Sequence, residues 1–133
     1  MLFRSRGAKT EAALSFVRTL LDAPIRRKAI ENPVGCIGTR IRKHDQMIQP
    51  YQFGHDASKL TCLWLENLPP LVWTELVEPR RVNGDARWSN QTDRGDNKMG
   101  SSKDRGAIRS VTYPGIAKAM AQQWGNTNLE KMK

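Results

Sequence analysis

Apolar residues return at positions 13, 16, 17, 20 and 21 of the segment Thr10–Ala23, the spacing of one helical face, with Arg18 and Asp22 off that face. Thr10 reads as the N-cap, Glu11 suits the positive end of the helix dipole, and Pro24 breaks or kinks the chain behind them. A short helix through Ile25–Glu31 then stops at Asn32-Pro33. The most apolar run is Cys62–Pro79, and it predicts a helical hairpin over 56–78. Asp56 caps a first helix with Ala57, Leu60, Leu63 and Trp64 on its apolar face, and Asn67-Leu68-Pro69 breaks it. Pro70 fits the first turn of a second helix, with Leu71, Val72, Trp73 and Leu76 inward and Pro79 ending it. A last helix is predicted over Pro114–Trp124, since Tyr113, Ile116, Met120 and Trp124 share a face and Gly125 follows. No strand pattern stands out. The fold class this implies is mainly α: a helical hairpin plus amphipathic N- and C-terminal helices, joined by long extended or irregular segments.

Between the helices the chain changes character. Residues 80–112 are polar, rich in turn formers and without a sustained period, so they divide a helical region 1–79 from a C-terminal helix and tail, 113–133. Alone in water Arg80–Ser110 cannot bury enough apolar surface to offset its ordering entropy, and it is expected to be unfolded until laid against a larger body.

Composition sharpens this. The chain has 133 residues, enough for one domain, and 38% are hydrophobic, which limits it to a small core. Four of its nine aromatics are Trp. Trp64 and Trp73 are expected in the hairpin core, while Trp88 and Trp124 read as anchors that dock into a partner. Lys and Arg number 22 against 13 Asp and Glu, a net charge of +9 that suits anionic partners. Most of the excess lies in residues 1–43. The cations Arg26, Arg27, Lys28, Arg40, Arg42 and Lys43 are therefore partner-binding candidates, with Gly35 and Gly38 between them.

Chemistry is sparse. Cys36, Cys62, His44 and His55 lie too far apart in sequence for a zinc pattern, and Asp93, Asp96, Asn97 and Asp104 do not alternate as calcium ligands do. No nucleophile-base signature is present, so neither a catalytic residue nor a cofactor or metal is assigned. Val34–Ile41 resembles the core of a KH RNA-binding domain, in which a glycine loop between two helices clamps a nucleic-acid backbone. That resemblance implies phosphate contacts from Arg40, Arg42 and Lys43. Here the loop's middle is Cys36-Ile37, where the family usually offers a polar or basic pair. The reading adopted is a glycine-flexed basic loop pressed on a partner. No run of apolar residues is long enough for a transmembrane helix.

The first residues, Arg-rich, amphipathic and acid-poor, look like a mitochondrial import sequence. The expected function is thus a non-catalytic accessory subunit of a large mitochondrial assembly, peripheral to the inner membrane or in the matrix. A respiratory-chain complex comes first and a ribosomal protein contacting RNA is the alternative. Its partners would be other protein subunits, an anionic lipid surface, or RNA in the alternative. Val82–Ser110 carries six cations against four aspartates, a mixture better suited to a protein surface than to lying on RNA.

Overall fold

A computed structural model describes residues 2–33, 35–98 and 112–125, with side chains from residue 7 onward. It corrects the fold class. The described residues form three helices and five strands in two antiparallel sheets, so the protein is not mainly α. The order is α1 (Leu2–Asp22), β1 (Lys28–Pro33), α2 (Ile37–Arg40), β2 (Gln46–Ile48), β3 (Thr61–Glu66), β4 (Arg80–Val82), β5 (Asp85–Arg87) and α3 (Pro114–Trp124).

The helical hairpin over 56–78 does not form. Its first half is β3, the middle strand of a sheet ordered β1-β3-β2, with Ile30 opposite Trp64 and Gln46 opposite Leu63. Thr61, Cys62, Leu63 and Trp64 are all buried, because both faces of the strand are covered. A strand buried on both faces loses its apolar–polar alternation, and a short apolar run then looks the same as a helix segment. The second half, 67–79, is extended and carries Pro69, Pro70 and Pro79. The helix expected over Ile25–Glu31 is replaced by β1.

Alternation along β3 divides the core in two. Leu63 packs with Ile48, Phe53, Leu71, Ile116 and Ala119 on the face covered by α3. Cys62 and Trp64 pack with Leu14 and Ile37 on the face covered by α1 and α2. The central sheet is therefore the middle layer of three, each face closed by helix. Trp64 Nε1 donates to the Arg42 carbonyl at 2.7 Å, which satisfies the one polar atom of a side chain only 2% exposed. Lys28, at the start of β1, reaches across to α1 and donates to the carbonyls of Leu20, Leu21 and Ala23 at 2.5–2.9 Å. A cation there completes the helix C-terminus and ties helix to sheet.

Extended segment 67–79 is held by side-chain amides that imitate a peptide group. Gln46 of β2 both donates to the Leu71 carbonyl and accepts from its amide, each at 2.8 Å. Gln123 of α3 does the same for Val72, at 2.8 and 2.7 Å. Farther along, the Thr74 and Glu75 amides donate to the Gln52 carbonyl and the Val77 amide to that of Tyr51. Residues 80–98 are also ordered, where the pattern predicts irregular chain. Strands β4 and β5 join through Asn83-Gly84, with φ of 53° and 88°, the left-handed pair a tight hairpin requires. Residues 99–111, the rest of that expectation, lie outside the described residues.

Trp64 and Trp73 separate here, for Trp73 is 54% exposed and not core. Val72 and Leu76, expected inward, are 69% and 49% exposed. Urea denaturation should show Trp64→Ala losing about 3–5 kcal/mol, the range for a large buried aromatic. Trp73→Ala should stay within about 0.5 kcal/mol of the parent, as surface substitutions do.

Candidate docking surface and the cleft at helix α3

The basic cluster of the first third divides into cations engaged internally and cations left outward. Lys28 is engaged with α1 and with Glu66 at 3.5 Å. Arg40 pairs with Glu11 and joins α2 to α1. Arg42 donates to the Leu65 carbonyl at 3.2 Å and to Asp45 at 3.0 Å. Exposed Arg26, half-buried Arg27 and exposed Lys43 take part in no ion pair among the described residues. Gly35 precedes α2 and Gly38 lies inside it, while Ile37 between them is buried in the core. A three-stranded sheet is present after all, but Gly35 follows a strand, so the loop between two helices that a KH domain uses does not form.

The two anchor tryptophans point inward. Trp88 stacks on Tyr51, ring centroids 4.0 Å apart and 11° from parallel, and its Nε1 donates to the Val77 carbonyl. Together with Ser89 on Asp56 and Asn90 on Ser58, it fastens the β4–β5 hairpin to the body. Trp124 donates to the Pro69 carbonyl at 2.7 Å and packs on the core. Both dock parts of this chain to one another.

A different set of side chains meets solvent. Helix α1 turns Leu14 into the core with Val17 beside it, while Phe16 is 63% and Leu20 37% exposed. Of the expected face, Val17 and Leu21 are half-buried while Ala13, Phe16 and Leu20 are exposed, and the buried residue is Leu14, which the pattern does not assign to it. Ile25, after α1, is 59% exposed. On the other layer Val72, Trp73 and Leu76 are bare, with Glu75 and Glu78 between and beside them. The sequence pattern places Val72, Trp73 and Leu76 on the inner side of a helix, Phe16 and Leu20 on one apolar helix face, and Ile25 in a short helix.

The described residues also form a cleft of about 370 Å³ between the 53–55 loop, Thr74-Glu75 and the start of α3. His55 Nε2 accepts the Gly115 amide at 2.8 Å, and its ring lies against Tyr113. A side chain at Gly115 would run into the Phe53 carbonyl and His55, so glycine is what lets α3 seat there. Glu75 and Lys118 line the rim. His55 is thereby a fastening for α3. Among the described residues no three metal-ligating side chains converge, and no helix is long and apolar enough to cross a membrane. No family model, curated protein or solved structure matches the chain.

Two tests follow from the ionisable groups. Burial pushes the Cys62 thiol up, whereas Cys36 is exposed. A thiol reagent should label Cys36 in the folded protein and Cys62 only after unfolding, because the thiolate is the reacting form. Burial also pushes the Asp45 carboxyl up, but hydrogen bonds from the Leu65 amide at 2.6 Å and from Arg42 outweigh it and hold it low. A carboxyl held low stabilises the fold above its unfolded pKa, and that stability is lost as pH falls through the folded value. Asp45→Asn should therefore be less stable than the parent at neutral pH, the gap in urea midpoint closing below about pH 4.

Proposed function

We propose that this protein is a non-catalytic accessory unit that joins a larger protein assembly by its surface. The observation that carries this reading is the exposure of Phe16, Leu20, Ile25, Val72, Trp73 and Leu76 around a core of two small clusters. Bare large apolar side chains in groups, on two layers of one small domain, mark surfaces that another protein covers. RNA is the weaker reading. Lys28, Arg40 and Arg42 each pair with an acidic group of this chain, so of the six candidate cations Arg26, Arg27 and Lys43 alone stand outside any ion pair among the described residues. The proposal keeps the mitochondrial setting, with a respiratory-chain complex first, on the composition of residues 1–23. The fold adds that α1, as an import sequence, would be one that stays, since Leu14 is seated in the core.

A photo-crosslinking residue placed at Phe16, Val72, Trp73 or Leu76 in the cells that make the protein tests this directly. At least one position should give a discrete adduct with another protein, identified by mass spectrometry. Adducts with RNA alone, or none at any position, would overturn the proposal.

A further inference from the structure

Resting on the docking reading above, we infer that the cleft at α3 and the bare stretch Val72–Leu76 beside it form one recognition site. Its occupant is a segment of another protein that carries a lysine or arginine flanked by apolar residues. Thr74 and Glu75 line the cleft, and Val72, Trp73 and Leu76 are their neighbours in the chain. All five residues from Val72 to Leu76 are exposed, so this stretch does not alternate between inside and outside as a half-buried strand does.

Backbone hydrogen bonds keep such a stretch in place. Gln46 and Gln123 hold Leu71 and Val72 at one end. Farther along, the Thr74, Glu75 and Val77 amides donate to the 51–52 carbonyls, and the Gly54 amide returns to the Glu75 carbonyl at 2.9 Å. The peptide groups are therefore tied to the body while the large side chains stand in solvent. Ordering a loop at an interface weakens binding, and here folding has already ordered it. Glu75 is placed as well. Its carboxylate lies beside Gly54, where φ is 89° and a Cβ would stand only 3.1 Å from Oε2.

Charge selects the occupant. Between Lys59 and Arg80 the chain has three glutamates and no cation, the reverse of its overall balance. Glu66 pairs with Lys28, whereas Glu75 and Glu78 are exposed and take part in no ion pair among the described residues. Lys118 lines the same cleft from α3 and does not pair with Glu75. An anion and a cation held apart on two walls of one cleft suit a peptide. Its basic side chain meets Glu75, and one of its carbonyls accepts from Lys118. Apolar side chains flanking that base cover Val72, Trp73 and Leu76, with Trp73 as the anchor. Two copies of a chain at +9 repel, so the segment belongs to a different protein.

Crosslinkers at Val72 and Thr74, with Phe16 in parallel, test this site in the cells that make the protein. Positions 72 and 74 should capture the same segment of one other protein, and mass spectrometry should find in it a lysine or arginine with apolar neighbours. Made as a synthetic peptide, that segment should bind the purified chain with an affinity that falls as salt rises. Trp73→Ala should weaken binding roughly thirty-fold, the effect of losing a central anchor. Glu75→Gln should weaken it about ten-fold and flatten its salt dependence. Because both residues are exposed, both variants should keep the parent's urea midpoint, and Phe16→Glu should bind as the parent does. Protein adducts at 16 alone would overturn this inference and leave the docking proposal standing. A captured segment without a cation, a self-adduct at 72 or 74, a peptide that does not bind, or parent-like binding by Glu75→Gln would also overturn it. No protein adduct at any position would sink both.

Discussion

Everything in this fold hangs on the double burial of β3. Leu63 faces one helix layer while Cys62 and Trp64 face the other, so a six-residue strand joins two core clusters, neither of which is large. Removing apolar area from water is the main favourable term available to a chain with 38% hydrophobic residues, and this strand removes it on both sides at once. Helix α1, helix α2 and helix α3 are held because each has part of β3 to lie on.

Around that strand the structure is fastened by hydrogen bonds that stand in for regular pairing. Gln46 and Gln123 each hold one residue of the extended segment at both its amide and its carbonyl, and Asn90 does the same for Ser58. A side-chain amide has the same donor and acceptor as a peptide group, so it can satisfy backbone that has no strand beside it. This is how loops and extended pieces lie on the body without leaving buried polar atoms unpaired. Among the described residues no such buried side-chain atom lacks a partner.

The same economy leaves large apolar side chains outside. Three small layers have too little interior for Phe16, Ile25, Val72 and Trp73 as well as Leu63 and Trp64. Tryptophan content alone therefore misdirects. Trp88 and Trp124 are internal fasteners through their indole N–H groups, and Trp73 is the one largely in solvent.

By itself the sequence determined the local features that depend on neighbours in the chain. The 3.6-residue period and flanking Pro114 and Gly125 specify α3 to its observed ends, and the apolar spacing within 10–23 specifies a helix there, although that helix begins at Leu2 and Thr10, expected as its N-cap, lies inside it. Charge excess in residues 1–43 was legible too, being a matter of counting. Tertiary structure decided the rest. Whether Thr61–Glu66 became strand or helix turned on the residues that came to cover both faces, and a buried run carries no period to announce it. Which part of the α1 face was buried depended on where α2 lay, through Arg40 and Glu11, residues 29 apart in the chain. Likewise Lys28 and Arg42 look in sequence like charges awaiting a partner. Only the fold brings the end of α1 and the Leu65 carbonyl within their reach, because long-range proximity is set by packing and not by any local preference of the chain.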